Sequence, residues 1–223
     1  MTPRRSAFHH VSREAVRPLV GASQPGVVPQ EAHGADRQHE FVLRAVGLSD
    51  VSLRAKIGLK GEGASAVLAA RGLPLPAPAN RWMPYRGGLI ARLGNTEFLL
   101  EAPADDDWTR EFRAIDAADA MPVIRSDASL LLFGERLPEL LAQVCAVRFT
   151  SRLAEDRELV LTQLAGVSVL AIPFRAAPAP ALRLWCDPTF APNLWRTLAT
   201  IVCELGGAPV DPAGLGELGI PCI

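Results

Sequence analysis

The stretch that most constrains the fold is Ser49–Leu73, which reads SDVSLRAKIGLKGEGASAVLAARGL. Apolar residues alternate with basic or small ones along Arg54–Lys60, which is typical of a half-buried strand. Gly61 and Gly63 end this strand, and the apolar stripe that follows indicates a short helix. We therefore expect a strand that passes through a glycine turn directly into a helix.

The same order of elements recurs downstream. Ser129–Phe133 is a strongly apolar strand closed by Gly134, and an apolar stripe over residues 137–144 predicts the next helix. Each unit is followed by a hairpin pattern, at residues 89–101 and at residues 159–172. The sequence therefore predicts an α+β fold of duplicated split β-α-β-β-α halves with antiparallel or mixed sheets.

Composition divides the chain into four parts. Residues 1–40 mix proline, glycine and scattered charge without sustained periodicity, so we expect a flexible N-terminal arm. Residues 41–120 form the first α+β half, and residues 121–207 form the second. Residues 208–223 return to a Pro/Gly-rich composition and are predicted to be a C-terminal tail.

Charge and hydropathy exclude several classes of protein. The net charge is -1, so no global basic field draws in nucleic acid. No apolar run is long enough to span a membrane, and no apolar run follows the two arginines of Met1–Arg5, so we expect a cytoplasmic protein without a signal peptide. Charged residues make up only 21% of the chain, which indicates either a face covered by a partner or simply an alanine-rich composition.

The distribution of histidines limits the chemistry. All four lie in the N-terminal arm, and residues 41–207 contain none. Histidine-based nucleophilic catalysis or metal binding would need an arm residue folded back into a cleft. The four cysteines are widely spaced without a CxxC pair, which favours free thiols in a reducing compartment. We therefore predict no catalytic, cofactor-binding or metal-binding residue in this chain.

One motif resembles a dinucleotide-binding loop. Residues 61–66, GEGASA, match G-x-G-x-x-A between a strand and a helix. However, the next acidic residue after Glu62 is Glu97, and a hairpin follows where a parallel crossover strand is needed. We interpret the glycines as a structural turn.

Two groups of residues are candidate contacts for a partner or an anion. The first is the basic strand face, which a phosphate, a folate glutamate or an acidic partner could contact, although a solvated sheet face is the simpler interpretation. The second is an aromatic and basic spot in the predicted loop at residues 73–84 and just after it. Together these candidates are Arg54, Lys56, Lys60, Trp82, Tyr85 and Arg86.

Several runs resemble a known family. They include LSDVSLRAKIGLKGEGASAVLAARGLPLPAPANRW and LRLWCDPTFAPNLWRTLATIVCELGG, with the signature Asp50, Ser52, Lys56, Gly58, Lys60, Gly61 in the pattern D-x-S-x-x-x-K-x-G-x-K-G. Over residues 41–207 the chain resembles the gamma subunit of heterotetrameric sarcosine oxidases. That family is similar in fold to the folate-binding domain of the glycine-cleavage T-protein, a duplicated α+β arrangement.

The resemblance implies a subunit that packs on larger partners. Those partners, the alpha, beta and delta subunits, would carry FAD, FMN, NAD, tetrahydrofolate and zinc and oxidise an N-methyl amine, while this chain holds none of these cofactors. The alternative is a stand-alone folate-dependent aminomethyltransferase-like enzyme. A third hypothesis, an RNA-binding module, is disfavoured because the strand at residues 54–60 carries no aromatic residue.

Overall fold

The computed structural model describes residues 6–8, 41–149, 155, 157–176 and 179–221. Two β-sheets are stacked face to face, with helices on their outer faces. The strands are β1 Gly47–Asp50, β2 Lys56–Lys60, β3 Arg81–Tyr85, β4 Gly88–Arg92, β5 Glu97–Glu101, β6 Met121–Ile124, β7 Ala128–Phe133, β8 Val160–Leu164, β9 Val167–Ala176, β10 Ala179–Cys186 and β11 Ala208–Pro209. Residues 41–44 are helical, and the α-helices with complete bounds are α1 Ala64–Ala70, α2 Leu137–Val144 and α3 Ala191–Glu204, with 3₁₀ helices at Trp108–Ala114 and Pro212–Leu215.

The two sheets repeat one strand order. The first sheet runs β6-β2-β5-β4-β3 and is entirely antiparallel, and the second runs β11-β1-β7-β10-β9-β8. β11 is an extra strand that pairs parallel to β1. When β11 is set aside, the order β1-β7-β10-β9-β8 of the second sheet matches the order β6-β2-β5-β4-β3 of the first, position by position. The predicted α+β fold with duplicated halves and antiparallel and mixed sheets is therefore confirmed.

The leading strands of the two repeats are exchanged. β1 precedes β2 in the chain but pairs with β7, whereas β6 precedes β7 but pairs with β2. Each sheet therefore takes one strand from the other half of the sequence. Neither of the two predicted halves, residues 41–120 and 121–207, therefore forms a complete sheet alone.

Two glycines hold equivalent places between strand and helix. Gly61 follows β2 with φ +130°, and Gly134 follows β7 with φ +127°. A Cβ at Gly61 would overlap the carbonyl oxygen of Asp119, and a Cβ at Gly134 would overlap that of Ala45. Because L-residues avoid this φ and no space remains for a side chain, both positions require glycine. Gly61 is thus a structural turn, as the sequence predicts.

Apolar side chains form one layer between the sheets and one on each outer side. The layer between them includes Trp82, Leu99 and Phe174, and α2 and α3 pack on the outer face of the second sheet. The outer face of the first sheet packs against α1 and the first 3₁₀ helix. Alternation along each strand decides which residues enter the space between the sheets.

Some elements differ from the sequence prediction. The region predicted to be an extended loop, residues 73–84, gives way to β3 at Arg81, and the predicted tail contains β11 and a 3₁₀ helix. Within the predicted N-terminal arm, Phe8 is fully buried, with its ring 5.5 Å from that of Trp195. Apart from Ser6 and Ala7, the remaining arm residues, including all four histidines, lie outside the described residues. In the described part of the chain, no helix has the length and apolar character needed to cross a membrane.

Candidate functional site

A group of charged residues lies between the two sheets, where apolar residues would be expected. We call Arg54, Lys56, Glu101, Arg183 and Trp185 the inter-sheet cluster. All five are at least 94% buried, and Glu101 and Arg183 have no exposed surface. The cluster carries three cations and one carboxylate.

Strand alternation places these residues together. On β5, Leu99 points between the sheets, so Glu101 does too, and on β10 the same alternation brings Arg183 and Trp185 inward. Glu101 lies opposite Lys56, and Lys56 is five residues before Gly61. In the second repeat, Trp185 lies opposite Ser129, and Ser129 is five residues before Gly134. Glu101 and Trp185 therefore occupy equivalent positions of the two repeats and meet where the sheets stack.

Glu101 is the hub of the cluster. Its Oε1 accepts hydrogen bonds from Arg54 Nε at 2.9 Å and from Arg183 Nη2, and its Oε2 accepts from Trp185 Nε1 at 2.8 Å. Lys56 Nζ lies 3.9 Å from Oε2. The guanidinium of Arg183 also lies over the indole ring of Trp185, 4.8 Å from the ring centroid. One carboxylate thereby joins β2 and β5 of one sheet to β10 of the other.

The cations of the first sheet are also held by backbone carbonyls. Arg54 Nη2 donates to Gly87 O at 2.7 Å, while Lys56 Nζ donates to Ser52 O at 2.8 Å and to Arg54 O at 3.0 Å. These bonds fix the segment between β1 and β2 beneath the cluster. Buried cations are tolerated only when their donors are satisfied in this way.

The surroundings of Glu101 determine its charge. Burial alone raises the pKa of a carboxyl group, but Arg183, Lys56 and Arg54, together with the hydrogen bond from Trp185, outweigh burial and hold the pKa of Glu101 below its usual value. The carboxylate therefore stays ionised at neutral pH. A buried acid with a lowered pKa and no exposed surface is poorly suited to general acid or base catalysis. The arrangement instead locks the sheets together.

The residues of the predicted basic strand face lie in two different environments. The simpler interpretation, a solvated sheet face, is wrong for Arg54 and Lys56, because both point between the sheets and bind Glu101. It is correct for Lys60, which is 59% exposed and lies 3.7 Å from Glu97. Whether Lys60 contacts a partner or an anion stays a prediction.

The three loop candidates do not converge on one pocket. Trp82 is buried between the sheets against Phe174, with ring centroids 6.4 Å apart. Tyr85, on the opposite face of β3, packs edge-on against Trp108 at 5.0 Å. Arg86 is exposed and pairs with Asp106 at 3.1 Å. Of the three, only Arg86 is exposed enough to meet a partner directly.

Sequence reasoning missed Glu101 and Arg183. Arg183 interrupts the apolar run ALRLWC of β10, which is a signal of a buried cation. Glu101 shares a strand face with Leu99, and that alternation was visible in the sequence. The stacking of the two sheets, which brings the two residues together, was not.

The described residues offer limited means of holding a metal or a cofactor. Among them, no group of three or more His, Cys, Asp or Glu side chains lies close enough to bind a metal. Burial and the nearby carboxylates of Asp127 and Asp187 raise the pKa of the Cys186 thiol to about 11, so this cysteine is unreactive. A cleft of about 480 Å³ lies beside β8 and β9, with Trp185 in its wall and Arg125, Asp127 and Asp187 around it.

Comparison with solved structures identifies the fold. The chain superimposes on a chain of heterotetrameric sarcosine oxidase from Corynebacterium sp. U-96, in complex with pyrrole 2-carboxylate, with a TM-score of 0.66 and 22% identity. The match covers 93% of this chain and 98% of that one. The fold is that of this sarcosine oxidase chain. It is also similar to the glycine cleavage system aminomethyltransferase T from Bartonella henselae, with a TM-score of 0.64 and 16% identity.

The two matches differ in extent. The match to the aminomethyltransferase covers 92% of this chain but only 58% of the aminomethyltransferase chain. The match to the sarcosine oxidase chain extends almost from end to end of both proteins. No family model and no curated protein matches the sequence. The expected structural relationship to both proteins is thus confirmed at the level of the fold.

Proposed function

We propose that this chain is a gamma-type, non-catalytic subunit of a heterotetrameric, flavin-dependent sarcosine oxidase-like complex in the cytoplasm. Its alpha, beta and delta partners would hold the flavins, NAD, zinc and the tetrahydrofolate that accepts the one-carbon unit from an N-methyl amine. The observation that carries the proposal is the nearly end-to-end match to a chain of similar length from such a heterotetramer.

The inter-sheet cluster supports a structural role. Its carboxylate is ionised and buried, and its hydrogen bonds are directed to other groups of the same chain. A catalytic carboxylate has to reach its substrate. Glu101 is instead suited to keeping the two sheets rigidly stacked, which a subunit that presents a fixed surface requires.

An exposed apolar strand edge supports the proposal that a partner subunit covers part of this chain. β6 lies at the edge of the first sheet, where Ile124 is 89% exposed and Met121 is 63% exposed. Exposed apolar side chains on an edge strand favour association. Pro122, between them, removes a backbone donor from this edge. We therefore expect β6 to contact the partner through its side chains and not by adding a strand.

The alternative, a stand-alone folate-dependent aminomethyltransferase-like enzyme, has less support. The described fold corresponds to little more than half of the aminomethyltransferase chain that it matches. An enzyme of that kind predicts that the isolated chain binds tetrahydrofolate, which calorimetry measures directly.

The first test assays the purified chain alone for sarcosine-dependent peroxide formation. We expect no activity, and robust activity without partners would refute the proposal. The second test expresses the tagged chain in its native host and asks whether the purified material contains flavin and forms peroxide with sarcosine or another N-methyl amine.

An edge variant makes the second test specific. Ile124→Asp alters an exposed side chain, so we expect unchanged stability but loss of the flavin-containing partners from the purified material. Ala66→Asp, at an exposed position of α1, is the matched control and should keep them. Equal recovery of partners with both variants would show that β6 is not the contact.

A further inference from the structure

A second cleft, separate from the inter-sheet cluster, opens on the helix-covered side of the second sheet. We call it the apolar cleft, and its volume is about 500 Å³. It lies between α2 and the paired strands β9 and β10. Its walls are mostly apolar and include Leu137, Leu141, Cys145, Phe149, Pro173 and Leu182.

Two arginines interrupt this apolar wall. Arg148 follows α2, and Arg175 is near the end of β9. Both line the cleft and are also exposed to solvent, so they form part of its solvent-facing rim. Among the described residues, no acidic side chain lines the cleft, and neither arginine forms an ion pair with a carboxylate. The described walls therefore combine an apolar interior with a positively charged rim.

This combination specifies a class of ligand. Small-molecule sites commonly measure 300–1,000 Å³ and have mostly apolar walls with a few polar groups that orient the ligand. Arginine binds carboxylates, sulfonates and phosphates through paired N–H donors. A cationic ligand would meet repulsion at the mouth, and a neutral one would leave both guanidinium groups unused.

We propose that the apolar cleft binds a small amphipathic anion, with the apolar body between α2 and the sheet and the anionic group at Arg148 and Arg175. This inference is independent of the proposed assembly, because the described cleft belongs entirely to this chain. It assigns the subunit a ligand site of its own, apart from the cofactors of its partners.

The test uses the full-length chain and the fluorescent sulfonate 8-anilinonaphthalene-1-sulfonate. We expect saturable binding, and about tenfold weaker binding to the double variant Arg148→Gln/Arg175→Gln, because the anionic group loses its charged donors. The uncharged analogue N-phenyl-1-naphthylamine should bind both proteins equally. Arg196→Gln, an exposed arginine of α3 outside the cleft, is the control and should leave sulfonate binding unchanged.

Competition experiments define the chemical class of the natural ligand. Dodecanoate and 2-naphthoate should displace the sulfonate from the wild-type chain, whereas dodecanol should do so much more weakly. Preference for one of the two acids distinguishes an aliphatic from an aromatic ligand.

Cys145 reports whether binding occurs in this cleft. Its thiol is half-buried in the cleft wall, whereas Cys203 is exposed on α3 and does not line the cleft. Bound sulfonate or dodecanoate should slow the alkylation of Cys145 at least severalfold, without slowing that of Cys203. Peptide mass spectrometry measures both rates in one sample.

Three results would overturn the inference. They are an absence of saturable sulfonate binding, equal sulfonate binding to the double variant, or equal protection of both cysteines. If the isolated chain binds no anion but Cys145 becomes protected when partner subunits assemble, the cleft is a docking surface for protein and the ligand proposal is wrong. That last result would leave the proposed function intact.

Discussion

Replacing Glu101 with glutamine tests whether the inter-sheet cluster holds the sheets together. The substitution keeps the shape of the side chain but removes its charge, leaving Arg54, Lys56 and Arg183 buried without their common carboxylate. If the amide oxygen keeps the two arginine bonds, the amide N–H₂ faces the donor Nε1 of Trp185, and that bond is lost. The variant therefore loses both an ion pair and a hydrogen bond.

The expected cost is large for a domain of this size. Removing one partner of a buried ion pair costs about 3–5 kcal/mol of unfolding free energy. For a chain of this length, 1 kcal/mol shifts the melting temperature by roughly 2–4 °C, so Glu101→Gln should melt about 6–20 °C below the wild type. Thermal unfolding followed by circular dichroism, together with urea titration, measures both quantities.

The same strand provides a matched control. Glu97 is 36% exposed and lies 3.7 Å from Lys60, which is itself largely exposed. Glu97→Gln makes the same chemical change on β5, and an exposed pair of this kind contributes at most about 1 kcal/mol. If the two variants differ by less than about 1 kcal/mol, the cluster does not have the role assigned to it.

The effect should also depend on pH. Because the pKa of Glu101 is lowered in the folded state, its contribution to stability is present above the ordinary carboxyl pKa and is lost as the pH falls through the lower, folded value. The stability difference between wild type and Glu101→Gln should therefore stay constant from neutral pH down to about pH 5 and narrow in more acidic solution. A stability difference that widens on acidification would contradict the conclusion that the pKa of Glu101 is lowered in the folded state.

Three further predictions concern the fold. Gly134→Ala should lower the free energy of unfolding, measured by urea titration, by about 2–4 kcal/mol, because the φ of +127° and the overlap with a carbonyl oxygen both oppose a Cβ. Gly94→Ala is the control and should have little effect, because no atom lies within 4 Å of a Cβ built at that position. Phe8→Ala should cost about 3 kcal/mol by thermal melting, since the ring is fully buried, whereas Phe41→Ala, at a position 42% exposed, should cost under about 1 kcal/mol; equal costs would show that Phe8 does not anchor the arm. Cutting the chain after residue 116 should give fragments that fold only when mixed, because β1 and β6 are exchanged; a folded single fragment by circular dichroism would contradict the topology.

The sequence was informative wherever a pattern was local. Alternation and glycine spacing predicted β2, β7 and the turns at Gly61 and Gly134, because those features depend on neighbouring residues. β3 was missed because it follows a proline-rich stretch and contains Pro84, and prolines disfavour a strand prediction. β1 and β6 are only four residues long, too short to show a clear period.

The cluster could not be predicted because it depends on long-range geometry. Lys56 and Arg183 are 127 positions apart in the chain, and only the stacking of the sheets brings both to Glu101. A strand with alternating basic residues looks the same whether its basic face meets water or a buried carboxylate. The arginine within the apolar run of β10 was the available clue, but its partner was not evident from spacing.

Native mass spectrometry of this chain, co-expressed with the proposed alpha, beta and delta subunits of its host, tests the proposed assembly most directly. We expect a complex that contains this 23.9 kDa chain, retains flavin and oxidises an N-methyl amine. A chain that remains alone in the presence of those subunits, or that oxidises sarcosine without them, would contradict it.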